Sequence, residues 1–359
     1  MFKEQNVMEL WGDRYLPDLS SLSSETNYFQ LKELIEMSKS EGRKKTVTEV
    51  NRILDIKCNL AKIKTNILFS YVPNKINLSR DRELAKYVQQ VYQVLLKIYE
   101  QQPPIAPSKI TKLKEKIGEN ININTQEFEK WVMPELKLPN VKAIARELQP
   151  SIDQLREQHL LENGGRTIGF TSTQFHFTTK FIFNQLKLTE QLLLSPYFKF
   201  VEEQVCIPWD KVYQATAKHD VTSPELKVVE KLLPASHQIA INIHRKATEK
   251  NPYHVSRRGK LTVPGVKASS IRDIEMFQAY LLLCVLEGNM IPIKQRLLPL
   301  CVIVFPSINV KWELIEQIVP LLVEEFQLRL DLEEMKVLEP YTTAMEQLFS
   351  NPALKLKTA

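Results

Sequence analysis

Residues 46–72 read TVTEVNRILDIKCNLAKIKTNILFSYV, with Val47, Val50, Ile53, Leu54, Ile56, Leu60, Ile63, Ile67 and Leu68 forming a broad apolar stripe. Steps of three and four return side chains to one flank of a 3.6-residue turn, whereas a half-buried strand would alternate. The stretch therefore predicts a long amphipathic helix, stopped near Pro73, because proline cannot continue the hydrogen-bond ladder. The same spacing recurs from Arg82 to Tyr99 through Leu84, Val88, Val91, Val94, Leu95 and Ile98. Gln102-Pro103-Pro104-Ile105-Ala106-Pro107 then breaks the chain, the strongest loop signal of the first half.

The pattern continues outward from these two helices. A Lys-rich helix over 108–118 ends at Gly118, and Glu119 to Asn124, alternating through Ile121 and Ile123, is the only candidate strand. Asn124 and Glu127 have capping-box spacing and open the helix containing Trp131. Residues 138–162 read as helix until Asn163-Gly164-Gly165, the only paired glycines. That junction divides the chain into a helical domain, 1–162, and a second part, 166–359. There, helices are expected over 172–194 and 196–218. Ser223-Pro224-Glu225 combines an N-cap, a first-turn proline and an acid on the positive end of the dipole. Pro234 interrupts that helix, and Ser236 is placed to cap a continuation to Lys250. Further helices are expected over 266–288, 291–305, 309–330 and 336–350, with Pro306-Ser307 separating the middle pair. The fold class is all-α.

Composition narrows the function. Only 9 of 359 residues are glycine, against a usual share of about 7%. Neither G-x-G-x-x-G nor G-x-x-x-x-G-K-[ST] occurs, so a glycine-loop nucleotide enzyme is not expected. The 48 basic and 42 acidic residues give a net charge of +6. One stretch is biased: residues 51–120 hold 13 basic and 6 acidic side chains, a difference of +7. Its lysines lie among Ile and Leu at helical spacing, as on the solvated face of amphipathic helices. A docking surface for an acidic partner is the alternative, and no Arg-rich, aromatic-interleaved patch points to nucleic acid. Cys58, Cys206, Cys284 and Cys301 are far apart, without a C-x-x-C zinc or redox motif, as expected of a reducing compartment. Cys284 and Cys301 sit in apolar runs and read as small buried hydrophobes. The start, Met1-Phe2-Lys3-Glu4-Gln5, lacks a signal-peptide core. The longest apolar stretch, Leu297 to Pro306, is about half of the ~20 residues a membrane span needs. A soluble, cytoplasmic protein is expected.

No catalytic or metal-binding constellation stands out. His159, His176, His219, His237, His244 and His254 form neither H-x-x-x-H nor H-E-x-x-H. His237 and His244 share a helix face but are separated by roughly 10 Å of rise, too far for one metal ion. His176, between Phe175 and Phe177, reads as a half-buried, hydrogen-bonded residue. The acid pairs Glu202-Glu203, Glu324-Glu325 and Glu333-Glu334 are adjacent, so they diverge by about 100° around a helix and are not paired catalytic carboxylates. The chain is read as a non-enzyme.

One segment is more specific. It runs Ile239-Ala240, Asn251-Pro252-Tyr253, Arg257-Arg258-Gly259-Lys260, Pro264-Gly265, Ala268-Ser269-Ser270-Ile271-Arg272-Asp273-Ile274-Glu275, Ala279 to Leu286, and Glu287-Gly288-Asn289. This order resembles the phycobiliproteins, the globin-like light-harvesting subunits of the cyanobacterial phycobilisome. Their bilin-attachment helix reads small-Cys-apolar-Arg-Asp-apolar and ends in Ala-Gly and a polar residue. The similarity covers about residues 223–330 and is densest over 251–289. It implies a globin-like, phycobiliprotein-type helical domain within 166–359, behind a helical N-terminal domain.

The resemblance also implies a ligand site. A carboxylate such as Asp273 would accept hydrogen bonds from the pyrrole N–H groups of a bilin, and Arg272 would pair with a propionate. The position of the thioether-forming cysteine is Ser270, and a serine hydroxyl does not replace a thiolate nucleophile. Ala279 stands where the family tends to have arginine, and Cys284, fourteen residues beyond Ser270, is too far along the helix to substitute. Covalent pigment is therefore not expected. The resemblance implies a non-catalytic phycobilisome-related protein, acting in assembly, turnover or regulation of the antenna through protein–protein contacts. Its partners would be phycobiliproteins or other phycobilisome components, with self-association open, and its place cytoplasmic or peripheral to the thylakoid membrane. The alternative is a globin-like sensor holding a bilin non-covalently through Ser270, Arg272, Asp273 and His254. A lyase or isomerase acting on bilins has no catalytic constellation behind it.

Overall fold

The computed structural model describes residues 11–12, 14–17, 28–69, 78–117, 122–155 and 167–350. Among them the chain is helical apart from two short antiparallel ladders, so the fold class is all-α. It folds as two compact units. Of the described residues, those between 12 and 155 together with 170–205 form one; residue 11, 167–169 and 206–350 form the other. The expected junction at Asn163-Gly164-Gly165, the N-terminal residues Met1 to Gln5, and Gly118 lie outside the described residues.

The first unit is built on α1 (Leu31–Ser38), α2 (Ser40–Leu68), α3 (Leu78–Glu100), α4 (Pro107–Ile117), α5 (Val141–Leu155), and most of α6 (Thr167–Phe183) and α7 (Leu188–Cys206). The extended Lys39 separates α1 from α2. Gly42 follows because a Cβ there would come within 2.5 Å of the Met37 Cα, closer than any side chain tolerates. Val47, Val50, Leu54, Cys58 and Ala61 of α2 are buried, as are Val88, Tyr92, Leu95 and Tyr99 of α3. The second half of the candidate strand is present as β2 (Asn122–Asn124), paired with β1 (Tyr28–Gln30) in the register Phe29 opposite Ile123. Phe29 then stacks on Phe128 at 4.0 Å. Asn124 accepts from the Glu127 N–H at 2.9 Å and opens the helical run with Trp131.

Residues 170–205 lie beyond the expected junction and so belong by sequence to the second part. They pack instead in the first unit, because their aromatic side chains complete its core. Tyr92 lies 5.4 Å from the Phe175 ring and 4.8 Å from Phe198, and its hydroxyl donates to the Phe175 carbonyl at 3.2 Å. The helix boundaries differ too. The chain turns at residues 184–187, where the Gln191 amide donates to the Phe183 and Leu186 carbonyls, both at 2.9 Å. The Glu190 carboxylate caps the Lys187 N–H at 2.9 Å. Pro196 does not end a helix but sits inside α7. The carbonyl its missing N–H would have served, that of Leu192, accepts from Ser195 Oγ at 3.1 Å.

The second unit comprises α8 (Trp209–Thr216), α9 (Pro224–Leu232), α10 (Ser236–Lys250), the hairpin β3 (Val255–Ser256) and β4 (Gly259–Lys260), α11 (Pro264–Glu287), α12 (Leu298–Ser307), α13 (Trp312–Glu316), α14 (Ile318–Gln327) and α15 (Leu332–Phe349). Ser223 caps α9 as its sequence predicts, accepting from the Leu226 N–H at 3.2 Å. Ser236 does not cap α10; its hydroxyl donates backwards to the Leu233 carbonyl at 2.9 Å. Pro306 lies inside α12 rather than after it. α11 ends in a Schellman turn, with Gly288 at φ 67° and the Asn289 N–H donating to the Cys284 carbonyl at 3.1 Å. From Ile274 to Leu286 every residue of α11 is buried, surrounded by the other helices of the unit. Trp312 closes the far end, donating to the Phe349 carbonyl at 2.7 Å while Phe349 packs 5.2 Å from Phe277. No helix among the described residues is long and apolar enough to cross a membrane.

Candidate functional site

Of the residues singled out in the sequence, Ser270 and Asp273 line one cavity of the second unit. The N-terminal half of α11 presents Ser269, Ser270, Asp273, Ile274 and Phe277 to it, the steps of one, three, one and three that define a helix face. α10 supplies His244, and the β3–β4 hairpin supplies Ser256 and Arg258. α12, α13 and α14 close the apolar side with Phe305, Leu314 and Ile318. Proline at the first turn and Val263 in extended conformation start α11 just after the hairpin, which places the two serines beside Arg258.

Ser270 and Asp273 therefore share a wall, and Arg272 does not belong to it. Arg272 projects off that face, and its guanidinium lies 3.6 Å from Asp273 Oδ1. The arginine that does line the cavity is Arg258, which the sequence showed only as part of a basic loop; its Nη1 donates to Ser269 Oγ at 3.2 Å. His254 is likewise not on the wall. Burial lowers its pKa, with Lys311 adding to the effect, and its Nε2 is buried without a hydrogen-bond partner.

The electrostatics follow from partial burial. About a third of the Asp273 side chain, 31%, reaches solvent. The surrounding protein still raises its carboxyl pKa above the usual range, with Arg272 and Arg258 pulling the other way. Burial lowers the pKa of His244, helped by Lys267 and opposed by a backbone hydrogen bond to Leu261. Serine, histidine and aspartate thus meet at one cavity, but not as a relay. Ser256 Oγ donates to the Gly259 carbonyl and Ser269 Oγ to the Gly265 carbonyl, both at 2.9 Å. His244 Nε2 lies 3.4 Å from Thr248 Oγ1 on its own helix. A nucleophile–base–acid chain needs those side chains aimed at one another.

The cavity measures about 90 Å³. Sites for drug-sized ligands occupy roughly 300–1,000 Å³, and an engineered cavity of about 150 Å³ is filled by benzene alone. A bilin, with four rings, is larger than the space these residues enclose. A cleft of about 250 Å³ beside Phe29, Leu34 and Phe128 lies in the first unit, as does an open groove of about 750 Å³. The groove mixes Lys44, Lys45 and Lys187 with Glu41, Glu49 and Glu190 and so favours neither sign of charge.

Three of the four cysteines, Cys58, Cys284 and Cys301, are buried. Burial pushes the Cys58 and Cys284 thiols up to about 12 and Cys301 well above its ordinary value, so none is a thiolate near neutrality. No group of three or more His, Cys, Asp or Glu among the described residues is arranged to hold a metal ion. His237 does not pair with His244; its Nδ1 lies 2.8 Å from Glu275. His176, also half-exposed, lies 3.7 Å from Glu202. Compared with known proteins, the chain matches no family model, no curated protein and no solved structure.

Proposed function

We propose that this chain is a non-catalytic, phycobilisome-related protein without covalent bilin, acting in assembly, turnover or regulation of the antenna through protein–protein contacts. The observation that carries the reading is the size of the space beside Ser270. At about 90 Å³, the cavity leaves room for a few solvent molecules or a very small ligand rather than a pigment. Ser270 stands where a thiolate would be needed, and Ser269 and Arg258 are bonded to each other. A domain that resembles an antenna subunit around so small a cavity offers antenna partners a surface instead of a chromophore. On this reading the protein works in the cytoplasm or at the thylakoid surface.

The sensor alternative draws on one observation, that Ser270 and Asp273 do line the same cavity, and the volume opposes it. Affinity purification of the tagged chain from a phycobilisome-bearing cell, followed by mass spectrometry and an absorption scan, tests both. Recovery of phycobiliprotein subunits, with no visible band belonging to the chain itself, is the expected result. Recovery of no antenna component overturns the proposal, and a visible band on the isolated chain moves it to the sensor.

A further inference from the structure

The first unit carries an apolar seam that its own core does not use. α2 turns Val50, Leu54, Cys58, Ala61 and Thr65 inward, yet Ile56, Leu60, Ile63 and Ile67 are 64%, 42%, 53% and 69% exposed. The exposed four follow one another in steps of four, three and four. That is a coiled-coil seam, with Leu60 and Ile67 at a positions and Ile56 and Ile63 at d. Single exposed aliphatics are ordinary, but four in heptad register on one helix form a contiguous face of the kind that receives another helix. Half-buried Phe177 of α6 widens it, with Lys64 Nζ 5.8 Å from its ring centre.

The charges beside the seam select the occupant. Lys57 and Lys64 hold the e positions, and Arg52, Asn59 and Asn66 hold the g positions. In a parallel pair of identical helices each g side chain faces the partner's next e. Arg52, held by Glu49 on its own helix at 2.6 Å, would then meet a lysine, and Asn59 would meet the other. An antiparallel pair sets lysine against lysine. Neither arrangement of two copies offers an opposite charge, whereas glutamates flanking a foreign seam would complement both lysines. Resting on the protein–protein reading above, we infer that this face of α2 docks an amphipathic helix of a partner protein whose apolar seam is flanked by acidic residues.

The test uses the full chain and two synthetic peptides of about four heptads, identical at a and d, one carrying Glu and the other Lys at every e and g. Fluorescence anisotropy should show the acidic peptide binding and the basic one binding at least about tenfold more weakly. Ile63→Glu should abolish binding with an unchanged melting temperature, since the side chain is solvent-exposed. Lys57→Glu/Lys64→Glu should reverse the preference. Absence of binding, equal binding of both peptides, or a preference that the double variant leaves unchanged overturns the inference. So does sedimentation showing that Ile63→Glu dissociates a dimer, which would give the seam to a second copy. Antenna subunits recovered equally with wild type and Ile63→Glu would refute the seam alone, and acidic-peptide binding without antenna recovery would refute the phycobilisome reading alone.

Discussion

α2 and α11, of 29 and 24 residues, are the two longest helices among the described residues, and the molecule uses them in opposite ways. α11 is enclosed on every side from Ile274 to Leu286, so even Glu275 and Gln278 are buried there. Each finds a partner: Glu275 meets His237 at 2.8 Å, and the Gln278 amide donates to the Ser236 carbonyl at 2.9 Å. α2 divides its apolar residues between an inner face and the exposed seam. An apolar side chain is therefore read in its neighbours, not in itself. The same isoleucine is core on one helix and contact surface on the other, because burial depends on how many elements converge on a helix.

The sharpest way to break this comparison is a matched pair of truncations. Phe277→Ala in α11 should cost about 3–5 kcal/mol, because the buried ring touches Phe349 and leaves a cavity. Denaturant unfolding of the full chain, read by far-ultraviolet circular dichroism, checks it, and a cost below about 1 kcal/mol would show that α11 is not the core helix described. Trp312→Phe should come next, at about 1–3 kcal/mol, since it leaves the Phe349 carbonyl without its buried donor. Gly288→Ala should cost about 1–2 kcal/mol, because φ 67° disfavours a Cβ. A neutral result in a thermal melt would mean that the Schellman turn relaxes.

Acidification should act on the second unit through His244. Its folded pKa is lowered, chiefly by burial, so the unfolded chain binds the proton more readily. Stability should therefore fall as pH drops below about 6.5, the value of an unperturbed histidine. His244→Gln should flatten that slope in unfolding series at successive pH values; an unchanged slope would assign it to other groups. The smallest effect belongs to the other helix. Ile63→Ala should change stability by no more than about 0.5 kcal/mol, since its side chain leaves no core cavity, and a larger loss would show that the seam is covered within the chain.

The local signals of the sequence were accurate at three residues that act on their own backbone and failed at Ser236, whose hydroxyl turns back to Leu233. Ser223, Asn124 and Gly288 each satisfy or reshape the peptide groups within a turn of themselves, so their roles could be read from spacing. The turn at 184–187 was missed because its stop signal is a glutamine side chain reaching back to two carbonyls, with only half a capping box around it. The helix expected from 196 begins at Leu188 and runs through Pro196, because Ser195 serves the carbonyl that the proline frees. Of the candidate site, Ser270 and Asp273 were legible as helix neighbours. Arg258 was not, since a hairpin brings it to Ser269 from eleven residues away.

The sequence by itself determined the all-α class, the roles of single capping residues such as Ser223 and Gly288, and the serine at position 270. These depend on local periodicity, capping chemistry and residue identity. Only the tertiary structure decided that residues 170–205 complete the first unit's core, that the space beside Ser270 is small, and that four of the nine apolar residues of the α2 stripe face solvent. Each of those depends on which distant helices converge on a surface, and a one-dimensional pattern shows a helix's apolar faces without showing what covers them.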